Sequence, residues 1–125
     1  MDIPILVLME TFKNLVAWQE AMNLVEMVYL ATKEFPKDEI YGLTDQIRRA
    51  AVSVPSNIAE GNGRMNRKDY AHFLLIANGS LKELETQILI SERIGYLSKE
   101  KREEITKQAG SVGRLLTALR KSLEK

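Results

Sequence analysis

Four stretches of this chain return an apolar residue every three or four positions, and the first three are closed by proline or glycine. That pattern constrains the fold more than any other feature, because it is the period of a helix with one buried face. In the first stretch, Leu15, Trp18, Met22, Val25 and Tyr29 predict a helix over Asn14–Thr32 with Asn14 as its N-cap. Pro36 stops it, since the residue before a proline is pushed out of the α region. A second helix is expected over Ile40–Glu60, with Leu43, Ile47, Ala50, Val54 and Ile58 inward and Gly61, Asn62 and Gly63 as its stop. Pro55 lies inside it and should bend or interrupt it near Ala51–Pro55. The third helix, Arg67–Ile94, carries Tyr70, Leu74, Ala77, Leu81, Leu84 and Ile88, with Asn66 as cap and Gly95 as terminator. The fourth starts at Ser98 and buries Ile105, Ala109, Val112, Leu116, Leu119 and Leu123. Its glutamates Glu100, Glu103 and Glu104 lie near the start, and Arg120 and Lys121 near the end, as the helix dipole favours.

Short connections favour antiparallel neighbours, so the expected fold is all-α, an antiparallel up-down four-helix bundle over 12–125 with an N-terminal extension at 1–11. A chain of 125 residues can form one core without staples. The absence of cysteine fits a reducing compartment, and the expected location is cytoplasmic. The apolar run Ile3–Met9 lacks a basic region before it, is followed by Glu10, and is too short to span a bilayer, so no membrane association is expected. Val16, Leu24, Met27 and Val28 on the first helix, with Leu75, Ile76, Leu89 and Ile90 on the third, exceed the needs of one bundle core. Either these stripes face two neighbours within the chain or they form the interface of a homo-oligomer; the latter is the expectation.

Little in the sequence supports catalysis. There is no GxxxxGK followed by Ser or Thr, no GxGxxG after a strand and no HExxH, so the common nucleotide and zinc-protease signatures are missing. His72 is the single histidine, Asp69 gives it only a weak neighbour at i−3, and no metal or other cofactor is expected. Ser53, Ser56, Asn57, Glu60 and Arg64 recur along the Pro55 helix; they form either a polar pocket or partners for backbone groups, with Pro55 freeing the Ala51 carbonyl. Gly79, next to Ser80 in the middle of the third helix, is read as a close crossing with Ala50, Ala51 and Ser53. A carboxylate of the third helix, among Glu83, Glu85 and Glu92, is expected to meet Arg48 or Arg49 across the bundle as a register-fixing ion pair rather than as a proton-transfer pair.

Net charge is only +1, yet its distribution is uneven. Between Gln46 and Lys68, Arg48, Arg49, Arg64, Arg67 and Lys68 face Glu60 alone; between Ile105 and Leu123, Lys107, Arg114, Arg120 and Lys121 face no acid. These clusters either contact phosphates or balance acidic neighbours and helix dipoles. The phosphate-contact candidates are Arg48, Arg49, Arg64, Arg67, Lys68, Arg114, Arg120 and Lys121.

The runs FKNLVAWQEAMNL, QIRRAAVSVPSNIAEGNGR and FLLIANGSLKELETQILISERIGYL resemble the four-helix bundle family named after 23S rRNA intervening-sequence proteins, from about Phe12 to Lys121. Its motif falls here on Arg48, Arg49, Ser53, Pro55, Asn57, Glu60, Gly61 and Arg64, then Gly79, Ser80, Glu83 and Glu85. The resemblance implies a ring-like homopentamer without enzymatic activity. A related branch, the accessory variability proteins of diversity-generating retroelements, implies binding to nucleic acid and to a reverse transcriptase. The functional expectation is a non-enzymatic, oligomeric nucleic-acid-binding accessory protein contacting structured RNA through basic surfaces. The alternative is a scaffold that docks a protein partner through apolar helix faces.

Overall fold

A computed structural model describes residues 11–124. The extension expected at 1–11 lies outside the described residues except for Thr11. The described residues form α1 (Thr11–Asn14), α2 (Val16–Thr32), α3 (Leu43–Asn62), α4 (Arg67–Arg93) and α5 (Lys99–Ser122), with a 3-10 turn at Lys37–Glu39 and no strand. The four long helices are the four expected segments, packed round one apolar core.

The first helix differs most from expectation. Asn14 does not cap it: α1 is a separate turn, and Leu15, with φ −73° and ψ 126°, is the extended residue before α2. The Gln19 amide donates to the Lys13 carbonyl at 2.9 Å, and the Phe12 ring meets Trp18 edge-on at 5.4 Å, which holds the bend. The buried stripe of α2 is Ala17, Ala21, Leu24, Val28 and Thr32, whereas Met22 and Tyr29 are exposed and Leu15, Trp18 and Val25 only partly buried. Both stripes have helical spacing. The one that wins carries two alanines, whose small side chains let α2 lie closer to its neighbours.

On α3 Ile47, Ala50, Val54 and Ile58 of the expected stripe are buried, joined by Thr44, Ala51, Pro55 and Gly61, while Leu43 is only partly buried, and the helix continues through Pro55 without interruption. Asn57 does act as a partner for a backbone group: its amide donates to the Ser53 carbonyl at 2.8 Å and to the Ser53 hydroxyl at 2.9 Å, rather than to the Ala51 carbonyl. Gly61 is not a stop signal: it is buried inside the helix, and the chain ends α3 at Asn62–Gly63. The limits of α4 agree with the sequence. The Asn66 side chain accepts from the Asp69 N–H at 2.8 Å, and Gly95 turns out of the helix at φ 84°, where an L side chain is strained. Ser98 caps α5 by accepting from the Lys101 N–H at 3.1 Å.

Each long helix packs against two others: α2 on α3 and α5, α4 on α3 and α5. Side-chain contacts join late residues of one element to early residues of the next. Gly61 near the end of α3 lies against Phe73 of α4, and Glu92 near the end of α4 accepts from Arg102 near the start of α5 at 2.6 Å. The mid-helix contacts are a Ser53–Ser80 hydroxyl pair at 2.8 Å and Leu81 against Gly113. Gln108 on α5 donates to the Glu20 carbonyl on α2 at 2.9 Å.

Two register expectations are corrected. The close crossing is at Gly61, not Gly79: a Cβ on Gly79 meets nothing within 4 Å, because the glycine faces outward while neighbouring Ser80 makes the contact. Nor do Glu83, Glu85 and Glu92 pair with Arg48 or Arg49. Arg49 bonds Asp45 on its own helix at 2.8 Å, Glu85 pairs with Lys82 at 3.5 Å, and Glu92 with Arg102. For Arg49 and Glu85, partners one turn away on the same helix cost less chain ordering than partners on another helix, whereas Glu92 takes its partner across the α4–α5 connection.

The 3-10 turn is tied to the α4–α5 connection by Tyr96, whose hydroxyl donates to Glu39 at 3.0 Å. That hydrogen bond, with smaller contributions from desolvation and the negative charge nearby, raises the Tyr96 pKa. Because the folded value lies above the unfolded value near 10, the stabilisation is complete below pH about 10 and is lost as pH rises through the folded value. Tyr96→Phe is therefore expected to lower Tm at neutral pH and to flatten the alkaline limb of a Tm-against-pH curve. An unchanged alkaline limb would show that the bond does not govern it.

Candidate nucleic-acid interface

The basic residues singled out in the sequence fall into separate groups. Arg48 and Arg49 sit in the first half of α3; Arg64 follows its end; Arg67 and Lys68 open α4; Arg114, Arg120 and Lys121 occupy the second half of α5. About 20 Å of helix separates Arg49 from the end of α3, so one compact ligand group does not contact all of them.

The residues around the α3–α4 turn project into solvent. Arg64 pairs with Glu60 at 2.6 Å, and its guanidinium lies 4.6 Å from the centre of the Phe73 ring. Arg67 and Lys68 are exposed in the first turn of α4, beside the Asp69 that shares the Asn66 cap. Cations at this end oppose the helix dipole. Arg120 and Lys121 lie in the last turn of α5, where the dipole favours them. The helix dipole thus accounts for the basic residues at the end of α5 and not for those at the start of α4. Arg114 donates to Ser111 at 3.2 Å and borders a shallow groove with Asn78, Lys82, Glu85 and Gly113.

Arg48 is built in differently. Its Nε donates to Thr32 Oγ1 at 2.9 Å and its guanidinium lies 4.6 Å from the centre of the Tyr29 ring. Thr32 is buried, and its own proton goes to the Val28 carbonyl at 2.8 Å, which fixes the lone pair that receives Arg48. Arg48 and Arg49 line one groove with Tyr29, Ile40, Tyr41, Asp45 and Val52. Sequence reasoning did not single out Tyr41, which is 94% exposed. The available signal was an aromatic residue beside Gly42, between the turn after Pro36 and the apolar stripe of α3.

The remaining motif residues are structural in their contacts. Ser53 bonds both Ser80 and Asn57, Pro55 is buried, and Glu60 holds Arg64. Glu83 borders a groove with Gln46, Arg49 and Gln87. His72 is exposed with its ring edge-on to Phe73, and no group of three or more metal-ligating side chains occurs among the described residues. Burial raises the Tyr70 pKa against the opposing hydrogen bond from Asn62. No helix among the described residues is long and apolar enough to cross a membrane.

Outer faces of two helices remain apolar: Val16, Met22 and Leu30 on α2, and Leu75, Ile76, Leu89 and Ile90 on α4.

These features define a helical bundle with cationic side chains set at a helix start and in an aromatic groove. Residues 13–118 match the 23S rRNA-intervening sequence protein family, and the chain belongs to that family. Its fold is similar to that of a protein with unknown function from the S23 ribosomal protein family of Bacteroides thetaiotaomicron, with a TM-score of 0.76 at 24% identity, over 85% of this chain and 99% of that one. A search of curated proteins gave no match.

Proposed function

We propose that this protein is a non-enzymatic nucleic-acid-binding accessory protein that holds structured RNA, or an RNA-containing complex, on its basic surfaces. The observation that carries this reading is the exposed pair Arg67 and Lys68 at the start of α4, with Arg64 one short turn before them. Positive charge at a helix N-terminus opposes the dipole, whereas a phosphate there meets both the cations and the amide dipoles. The family name, which refers to an intervening sequence of 23S rRNA, is consistent with an RNA context. In the antiparallel up-down order we propose for the long helices, the end of α5 lies beside the start of α4. Arg114, Arg120 and Lys121 then extend the same surface, and a ring of subunits multiplies it.

The test is fluorescence anisotropy of a labelled structured RNA at several salt concentrations, with Arg64→Ala/Arg67→Ala/Lys68→Ala alongside. Wild type is expected to bind at low salt. The variant should flatten the log–log dependence of affinity on salt by about 0.9 for each phosphate it no longer neutralises. Light scattering on the same sample is expected to return a multiple of the 14.2 kDa chain.

A second reading rests on the apolar outer faces of α2 and α4: a scaffold docking a protein partner, such as a reverse transcriptase, or copies of itself. Absence of RNA binding at low salt would favour it, since apolar association depends far less on salt than phosphate contacts do.

A further inference from the structure

Several arginines of this chain have carboxylate partners. Arg49 pairs with Asp45 at 2.8 Å, Arg64 with Glu60 at 2.6 Å and Arg102 with Glu92 at 2.6 Å. Arg48 is half-buried and held at two points, by Thr32 through Nε and by the Tyr29 ring on one face, yet no carboxylate lies within ion-pair distance of it among the described residues. Its Nη fork, the part of arginine that recognises a planar or tetrahedral oxyanion, remains available. Holding the side chain this way removes much of the ordering cost that a flexible surface arginine incurs when it binds.

The fork borders a groove of about 620 Å³, within the range of small-ligand sites. At its rim Tyr41 is 94% exposed and Ile40 is 48% exposed. Tyr41 offers a flat apolar ring to solvent next to an arginine without a carboxylate. Asp45 is the acid on the groove lining, and it is engaged by Arg49, itself 80% exposed and free to exchange that partner.

We propose that this groove is a subsite for one unpaired nucleotide of a single-stranded segment, its base stacked on Tyr41 and its phosphodiester held by the Arg48 fork with Arg49 beside it. Stacking requires a base face that a duplex conceals, so the groove selects loops, bulges and ends. The inference rests on the nucleic-acid reading and places a second contact region away from Arg64, Arg67 and Lys68.

The experiment titrates full-length protein at low salt with three fluorescent probes: a single-stranded oligouridylate, an RNA duplex of equal length, and a phosphodiester oligomer of equal charge without bases. Wild type is expected to prefer the oligouridylate. Tyr41→Ala, at a position whose exposure spares the fold, is expected to weaken oligouridylate about tenfold and to leave the baseless oligomer nearly unchanged. Arg48→Lys keeps the charge and loses the fork and is expected to weaken both single-stranded probes, with circular dichroism confirming the fold. If oligouridylate binds but neither substitution alters its affinity, while Arg64→Ala/Arg67→Ala/Lys68→Ala weakens it, the subsite is overturned and the wider reading stands. Failure of wild type to bind any of the three probes overturns both. A poly-glutamate peptide that displaces the baseless oligomer from the Arg48 region while oligouridylate shows no preference overturns the nucleotide assignment in favour of an acidic peptide.

Discussion

Gly61→Val is expected to lower Tm by about 10 °C, the largest effect of any glycine substitution in this chain, at roughly 4 °C per kcal/mol for a domain of this size. A Cβ at this position falls 2.8 Å from Phe73 Cβ, 3.0 Å from Tyr70 Cδ1 and 3.2 Å from the Tyr70 carbonyl oxygen. Two of these atoms belong to or adjoin the α4 backbone, so the neighbour cannot yield by rotating a side chain. The helices must separate, and overpacking of this kind costs about 1–3 kcal/mol, with valine's branched methyls placing it at the upper end. Gly79→Ala provides the contrast. Its Cβ meets nothing within 4 Å, and replacing a mid-helix glycine by alanine is worth up to about 1 kcal/mol, so Tm should rise by a few degrees. Equal Tm values for Gly61→Val and wild type in differential scanning calorimetry would contradict the close α3–α4 approach.

Leu81→Ala is expected to cost about 2–5 kcal/mol in chemical denaturation. Leu81 is completely buried, and its Cδ2 lies 3.4 Å from where a Cβ on Gly113 would sit, so glycine opposite leaves little to collapse into the vacated space. Adding Gly113→Ala should return part of that stability in the double variant, although in the wild-type background the added methyl meets a full site. A double-mutant cycle reads this coupling directly; strict additivity would mean that the two residues do not share a space.

The helices were legible in the sequence because their signals were local: Asn66 and Ser98 cap, Gly95 adopts a positive φ, and the stripes of α3, α4 and α5 have one consistent inward face. The inward face of α2 was not legible. Apolar residues surround most of that helix, so spacing alone permitted two stripes, and the choice depended on how closely Ala17 and Ala21 let the neighbours approach. Gly61 and Gly79 illustrate a related limit: each is a glycine with a plausible local role, and only the facing helix reveals which one is crowded. Basic residues were found by counting, yet counting gave Arg48 no more weight than Arg49. Thr32 and Tyr29, 16 and 19 positions earlier in the chain, set Arg48 apart, and neither carries a signal of its own.

The Ser53–Ser80 hydroxyl pair lies midway along the α3–α4 contact, amid otherwise apolar packing, with Asn57 bonded to the same Ser53 oxygen. Apolar stripes interlock almost equally well when one helix slides past the other by a full turn of about 5.4 Å, so they align helices poorly by themselves. Sliding these two would separate the hydroxyls and leave polar groups facing aliphatic side chains, at a cost of about 1–3 kcal/mol for each group left without a partner. Three small polar side chains thereby act as a ruler, distinguishing one sliding position from its neighbours.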